Sequence, residues 1–168
     1  MKKQPNIIFI LIDDLGWTDL SSYGSSFYET PNLDRLAAGG MRFTDAYAAC
    51  PVCSPTRASI LSGKYPARLG LTNYIHVNNP GQQDRARLID APYVPFLDTK
   101  EKSLATTLQE SGYSTWHVGK WHLGDEKYWP EQHGFEVNIG GCHHGHPSDG
   151  DFSPWNIPNL ENGPDGEY

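Results

Sequence analysis

The sequence contains few cysteines, no excess of positive charge and no long apolar run, and each shortage excludes something. Three cysteines allow at most one disulfide bridge. With 13 basic and 20 acidic residues the net charge is −7, which gives no electrostatic reason to expect a nucleic-acid partner. No apolar stretch is long enough to span a membrane. The start of the chain is not a complete signal peptide, because its apolar run is short and lacks a small-residue cleavage site.

What the sequence does contain is typical of one globular α/β domain. Its 168 residues are 38% apolar and 20% charged, and its 17 glycines and 13 prolines predict extensive loops. We find no internal repeat. Predicted strands and helices alternate, which favours a parallel sheet. The predicted elements are strands at 6–12, 41–48 and 113–118, helices at 32–38 and 103–110, and a further helix that starts around Pro55 and is ended by Gly63. Residues 65–100 lack periodicity and predict a long loop that is functional or covers a site.

A Cys-x-Pro-x-Arg pattern occurs at Cys53 to Arg57. Pro55 suits the first turn of a helix, Ser54 is a plausible N-cap, and Gly63 would end the helix. Residue 53 would then lie at a helix N-terminus, where free amides and the dipole favour anions. Arg57 follows one turn later and would place a fixed positive charge near it. The alternative interpretation is a proline-started helix with an incidental cysteine.

Two adjacent carboxylates, Asp13 and Asp14, follow the apolar run at 6–12. That run predicts a buried strand of a parallel sheet, and sites in such sheets collect at the carboxyl ends of strands. Adjacent carboxylates at such an end repel one another unless a cation joins them, and hard oxygen ligands favour calcium or magnesium. Solvated aspartates in an ordinary turn are the alternative.

Lys120 and His122 follow the predicted strand at 113–118. They stand two residues apart, so on an extended segment both would face the same side. Lysine offers a point charge to an anion, and histidine can carry or donate a proton near neutral pH. Two partly exposed polar residues on a loop are the alternative.

Three blocks together, at 6–17, 53–64 and 119–124, resemble the type I sulfatases and occur in the order of that family. The resemblance implies an alkaline-phosphatase-like α/β fold with a mainly parallel sheet flanked by helices. It implies that Cys53 is converted to formylglycine by a maturation enzyme, and that Asp13, Asp14 and the modified residue 53 bind a divalent cation, usually Ca²⁺ with Mg²⁺ possible. It also implies that Arg57 supports the nucleophile, that Lys120 contacts substrate sulfate and that His122 contacts residue 53.

A formylglycine explains why a cysteine is needed at this position. A hydrated aldehyde carries two hydroxyls on one carbon, and one of them can attack sulfur. The other can then collapse the diol and expel inorganic sulfate, so that water never attacks sulfur. A serine could be sulfated but would lack this exit.

The cysteines and histidines outside these blocks allow further interpretations. Cys50 and Cys53 form a Cys-x-x-Cys pair, a spacing that also suits a redox dithiol or half a zinc site. The run at 142–146 offers further zinc ligands, Cys142, His143, His144 and His146. The favoured interpretation is a Gly/His-rich loop near the mouth of a pocket. By resemblance, His144 falls where related enzymes place a polar residue that contacts substrate.

The sequence therefore predicts a sulfuric ester hydrolase acting on a sulfated small molecule or glycan. By resemblance to complete sulfatases, residues 1–168 form the N-terminal part of the catalytic domain and would be inactive alone. The resemblance also implies export, as a periplasmic or secreted protein. Two alternatives remain, a phosphoester or phosphonate monoester hydrolase of the same fold and a non-catalytic fragment.

Overall fold

The chain forms two compact units, Met1–Tyr47 and Ala48–Tyr168. The computed structural model describes residues 4–76, 91–147 and 149–167. Within these residues no helix has the length and apolar character needed to cross a bilayer.

Helix α1, Pro31–Gly39, is the main element of the first unit, and a short 3₁₀ helix, Ser21–Tyr23, precedes it. The helix predicted at 32–38 is thus confirmed, with Thr30 at its N-cap position. The Thr30 hydroxyl does not cap the helix. It accepts the Ser21 amide at 3.0 Å and donates to Asp34 at 3.1 Å, so that it ties the preceding turn to the first turn of α1.

The strands predicted at 6–12 and 41–48 are wrong. Both segments have irregular backbone, and their apolar side chains are exposed, with Ile8 at 86%. The prediction rested on β-branched and aromatic residues, but a strand also needs a neighbouring strand to accept and donate its backbone hydrogen bonds. The described part of the first unit contains no such neighbour.

Helix α2, Cys53–Ser62, begins at the Cys-x-Pro-x-Arg pattern as predicted. Gly63 ends it in the left-handed conformation, φ 69°, where a glycine carries no Cβ penalty. The predicted N-cap at Ser54 is wrong, because Val52 occupies that position and Ser54 lies inside the first turn. The Ser54 side chain is fully buried and accepts the Ile75 amide instead.

Two further helices follow. Helix α3, Pro66–Leu69, lies within the segment predicted as a loop from 65 to 100, of which residues 77–90 fall outside the described residues. Helix α4, Leu104–Glu110, confirms the prediction for 103–110. Its N-cap Ser103 accepts the Thr106 amide at 2.9 Å.

Strands β1, Trp116–Val118, and β2, Val137–Ile139, pair in parallel, with His117 opposite Asn138. This pairing agrees with the predicted parallel sheet, and β1 falls within the strand predicted at 113–118. The connection between them contains two short 3₁₀ helices, Glu126–Tyr128 and Pro130–His133. Helix α2 and the segment after β1 both contribute side chains to one core.

The core of the second unit packs α2 against the segment that follows β1. Its fully buried members are Ala58, Leu71, Leu97, Trp121 and Leu123. Trp121 also donates its indole N–H to the Tyr128 carbonyl at 2.7 Å, which satisfies its one polar group. Burying a large apolar side chain stabilises the folded state by about 1.5–3 kcal/mol. Because Trp121 and Leu123 flank His122, this core fixes the position of that histidine.

Candidate active site

Cys53 and His122 meet although 69 residues separate them in the sequence. The Cys53 sulfur lies 3.3 Å from Nδ1 of His122. Cys53 is partly buried at the start of α2, and His122 is buried with 4% of its surface exposed. The contact joins the second and third sequence motifs, 53–64 and 119–124, at the N-terminus of a ten-residue helix, where the first backbone amides have no partner within the helix.

The hydrogen bonds of His122 determine which ring nitrogen carries the proton. Nε2 lies 2.7 Å from the carbonyl oxygen of Ile75, and a carbonyl oxygen can only accept. Nε2 must therefore donate, which leaves the lone pair of Nδ1 in the neutral ring facing Cys53. In this tautomer His122 can take a proton from a group on residue 53.

The backbone of His122 is not extended. Its φ is 58°, and its amide donates to the Cys142 carbonyl at 3.0 Å. Strand β1 ends at Val118, because the next residue, Gly119, has φ 94° and is no longer extended. The Gly119 amide still donates to the Ile139 carbonyl at the end of β2. The expectation that Lys120 and His122 face one side of an extended segment is therefore wrong, and tertiary hydrogen bonds place His122 instead.

Arg57 is buried, with 9% of its surface exposed, and lies one turn after Cys53 as predicted. Its Nη1 donates to the Lys120 carbonyl at 2.6 Å. A charge-assisted bond of this kind fixes the guanidinium relative to the third sequence motif. It also brings the backbone of Lys120 to the same site. That the Lys120 ammonium contacts sulfate stays a prediction.

The loop after β2 packs directly on the His122 ring. A Cβ on Gly145 would lie 2.6 Å from Cε1 of His122, so only a glycine fits there without movement. Gly141 anchors the start of the loop, since its carbonyl accepts the side-chain amides of Asn138 at 2.8 Å and Asn159 at 2.9 Å. The loop therefore forms one wall beside the histidine.

His144 lies on this loop, and its ring centroid is 4.2 Å from that of His143. Burial lowers the pKa of His144, and the neighbouring His143 and His146 lower it further, against an opposing effect of Asp149. The neutral form is therefore favoured. The predicted substrate contact of His144 stays a prediction, although the residue lies on the loop that borders His122.

Burial also raises the pKa of the Cys142 thiol. Cys50, Cys53 and Cys142 are all free thiols. The Cys53 sulfur faces His122 rather than pairing with Cys50, which disfavours the redox interpretation of the Cys-x-x-Cys pair.

Asp13 and Asp14 belong to the first unit, where they form an exposed turn. Asp14 has φ 55°, a conformation that aspartate tolerates better than most residues. The turn follows the apolar run as predicted, although that run is not a strand. The role of both aspartates as metal ligands stays a prediction.

Sequence reasoning missed four residues that position the site: Ser54, Ile75, Cys142 and Gly145. Ile75 acts through its carbonyl, and Cys142 contacts His122 through its carbonyl as well. Backbone groups leave no mark on residue type, so no pattern could have found them. Gly145 did carry a signal, because a glycine between two histidines suggests a close approach.

Comparison with known proteins agrees with this geometry. The family described as Sulfatase matches residues 5–161. N-acetylgalactosamine-6-sulfatase of Rattus norvegicus is 42% identical over 163 residues, and arylsulfatase A of Bos taurus is 43% identical over 139 residues. These matches cover 92% and 81% of this chain, which spans about 28% and 25% of the two relatives.

Solved structures give the same result. The crystal structure of Ps i-CgsB matches with a TM-score of 0.68 at 35% identity. The match covers 80% of this chain and 27% of the Ps i-CgsB chain. A sulfatase structure described as BT33336S-sulf, from work on glycosaminoglycan metabolism in Bacteroides thetaiotaomicron, has a TM-score of 0.64 at 35% identity, with 80% and 28% covered. These neighbours confirm the predicted alkaline-phosphatase-like fold, of which this chain carries a part. The chain belongs to the Sulfatase family.

Proposed function

We propose that the protein hydrolyses sulfate esters of a carbohydrate, with residue 53 acting as a formylglycine nucleophile. The observation that carries the proposal is the contact between the Cys53 side chain and the unprotonated Nδ1 of His122. A nucleophile next to a base whose other nitrogen is held by a third group is the arrangement that activates hydroxyl nucleophiles. Here that third group is the Ile75 carbonyl.

Once formylglycine replaces the cysteine, a hydroxyl of the hydrated aldehyde bonds to sulfur while the bond from sulfur to the alcohol oxygen breaks. Release of sulfate re-forms the aldehyde, and rehydration restores the diol, so the net reaction consumes one water. His122 would accept a proton at Nδ1 from the hydroxyl on residue 53. Its neutral tautomer is suited to that step and not to donation towards residue 53.

Two features of α2 suit an anionic substrate. The helix N-terminus provides unpaired backbone amides and a partial positive charge at residue 53. Arg57 adds a full positive charge one turn away and is fixed by its bond to the Lys120 carbonyl. We propose that Arg57 stabilises the charged nucleophile, and that the Lys120 side chain binds the sulfate group.

The donors on the first unit fit a hard divalent cation. Asp13 and Asp14 are adjacent, exposed carboxylates on one turn, and carboxylate oxygens are the ligands that Ca²⁺ and Mg²⁺ prefer. We propose that both hold Ca²⁺, or Mg²⁺, together with the modified residue 53. Such an ion supplies positive charge that lowers the pKa of a coordinated hydroxyl and neutralises the substrate anion.

The relatives support a carbohydrate substrate. Their names include N-acetylgalactosamine-6-sulfatase, and one solved neighbour, Ps i-CgsB, was crystallised in a complex with k-i-k-neocarrahexaose. We therefore propose a sulfated glycan as the substrate and a formylglycine-generating enzyme as the maturation partner. Family membership also supports the proposal that the protein acts in the periplasm or after secretion.

A direct test compares matched sulfate and phosphate monoesters of one alcohol. The protein is produced with a formylglycine-generating enzyme and assayed with Ca²⁺ present. We expect a higher kcat/KM for the sulfate ester, and further activity on sulfated oligosaccharides. A preference for the phosphate or phosphonate ester would overturn the proposal in favour of the phosphohydrolase alternative.

Ser54 is expected to act as a positioning residue for His122. Its buried hydroxyl accepts the Ile75 amide at 3.1 Å, and the Ile75 carbonyl holds Nε2 of His122. In Ser54→Ala the Ile75 amide loses its hydrogen-bond acceptor. Residue 75 is then less firmly positioned, and so is its carbonyl, which binds Nε2 of His122. We expect kcat to fall by about 10-fold at nearly unchanged KM, the size of a lost hydrogen bond of about 1–1.5 kcal/mol.

Ser62→Ala is the matched control, because the Ser62 hydroxyl lies on the same helix and its described hydrogen bonds are to the Ala58 carbonyl and from the Lys64 amide. Thermal unfolding measures the loss of stability in both variants, and the pH profile of kcat measures the effect on His122. If Ser54→Ala loses stability but keeps the kcat and pH profile of the Ser62 variant, its role is structural only.

A further inference from the structure

The loop that borders His122 carries a second cluster of ligating groups. The sulfur of Cys142 and one ring nitrogen each of His143 and His144 lie within 4.8 Å of one another. Cys142 is buried, and the two histidines are half-buried. Three consecutive residues rarely direct their side chains to one point, and here the loop bends to bring them together. The proposed sulfate chemistry uses none of these groups as a set.

The spacing of these donors is close to that of a tetrahedral metal site. Zinc binds thiolate sulfur at about 2.3 Å and imidazole nitrogen at about 2.0–2.1 Å, so neighbouring ligand atoms lie roughly 3.3–3.6 Å apart. Donors spread over at most 4.8 Å therefore need to approach by about 1 Å. Rotation of the two half-buried imidazoles can supply this movement without a change of the buried Cys142.

The backbone of the loop is already held in place. The side-chain amides of Asn138 and Asn159 both donate to the Gly141 carbonyl. The carbonyl of the next residue, Cys142, accepts the His122 backbone amide. On the outer side, the ring of His143 lies nearly parallel to Trp129, with centroids 6.3 Å apart. An anchored backbone lowers the entropy that binding would otherwise cost.

The donor types select the metal. Thiolate and imidazole suit Zn²⁺ and related borderline cations, whereas Ca²⁺ and Mg²⁺ require oxygen ligands. This cluster is therefore chemically distinct from the proposed site at Asp13 and Asp14. Three protein ligands also leave the fourth position of a tetrahedral ion open for water or another ligand.

We propose that Cys142, His143 and His144 form a Zn²⁺ site in addition to the hard-cation site of the family. Binding replaces the Cys142 S–H bond with an S–Zn bond and releases the proton to solvent. Cys142 accepts the His122 amide through its carbonyl, and Gly145 packs against the His122 ring. Zinc binding at Cys142, His143 and His144 therefore shifts the position of the His122 ring. Zinc is therefore an inhibitor of the reaction, a consequence that rests on the proposed function.

Cobalt titration tests the site without any use of activity. The protein is saturated with Ca²⁺ first, so that the hard-cation site is filled. One Co²⁺ per chain is expected, with a thiolate-to-cobalt charge-transfer absorption that Zn²⁺ abolishes on addition. Cys142→Ser should lose the absorption, and His143→Ala should weaken Zn²⁺ binding by at least about 100-fold, since even outer-shell changes cost 10–100-fold.

Three control variants locate the sulfur ligand. Cys50→Ser, Cys53→Ala and His146→Ala are expected to keep both the absorption and the affinity. Loss of the absorption in either of the first two places the metal on the Cys-x-x-Cys pair and overturns the proposal, as does a wild-type protein without the absorption. If Cys142→Ser fails to fold, as judged by circular dichroism, His143→Ala decides the same point, and unchanged Zn²⁺ affinity in that variant overturns the site.

Inhibition is measured separately, on a sulfate ester with and without Zn²⁺. Wild-type and His146→Ala proteins should lose activity over the concentration range in which the site fills, whereas His143→Ala should resist. Zinc binding without inhibition would leave the metal site intact and remove only its effect on His122. A protein that binds zinc but hydrolyses no sulfate ester would contradict the proposed function and not the site.

Discussion

Cys53→Ala is expected to reduce sulfate-ester turnover by at least about three orders of magnitude, because the side chain at this position forms the covalent bond to sulfur. Alanine can be neither oxidised to the aldehyde nor sulfated. Everything around it should remain, since Cys53 is only partly buried and its described side-chain contact is with His122. The measurement is kcat on one sulfate ester with the fold checked by circular dichroism.

Cys53→Ser makes the expectation sharper, since a serine hydroxyl can attack sulfur but cannot collapse to an aldehyde. We expect one turnover, followed by a protein whose mass has increased by one sulfo group. Cys50→Ala, at the other thiol of the Cys-x-x-Cys pair, should keep nearly full turnover. The matured wild-type protein should show the mass of the aldehyde and react with hydrazide reagents. An unmodified thiol after co-expression with the maturation enzyme would contradict the formylglycine assignment.

The helices were predictable from the sequence, because local residue types decide where a helix begins and ends. Proline in the first turn of α2 and glycine just after it fix both ends, as they do for α1. Ser103 likewise identifies the start of α4. Each of these signals acts within a few residues, so the amino-acid sequence alone is enough to predict where these helices begin and end.

The strands were less predictable, since a strand depends on a partner that lies elsewhere in the chain. The apolar run at 6–12 has strand-forming residues but lacks regular structure, whereas Trp116–Val118 has a parallel neighbour and forms one. Residue preference alone could not separate these two cases.

The site was predictable in its side chains and not in its geometry. The motifs predicted that Arg57 and His122 lie near residue 53. In the structure the Cys53 sulfur lies 3.3 Å from Nδ1 of His122, and Arg57 donates to the Lys120 carbonyl. The contacts that orient them come from backbone carbonyls of Ile75 and Lys120, whose residue types are irrelevant. The left-handed φ of His122 could not be predicted either, because only a small fraction of non-glycine residues adopt it and residue type alone does not identify which ones.

His122→Ala is expected to reduce kcat by about 10²–10⁴-fold, the range for loss of a positioned general base. The effect should fall mainly on kcat, because Nδ1 faces the side chain of residue 53 and not a described substrate-binding group. The pH profile of kcat should also lose the limb on which activity rises as the base deprotonates. Measurement of kcat and KM across pH on one sulfate ester tests both expectations.

His122→Gln separates proton transfer from positioning. A glutamine side chain can donate to the Ile75 carbonyl through its amide and still present an oxygen towards residue 53, but it cannot hold a proton at neutral pH. If His122 acts as a base, the Gln variant should be nearly as impaired as the Ala variant. If it recovers most of the wild-type kcat, His122 only orients residue 53 by hydrogen bonding, and the proton must leave by another route. Because Ile75 fixes the tautomer of the native ring with Nδ1 towards residue 53, we expect the first result.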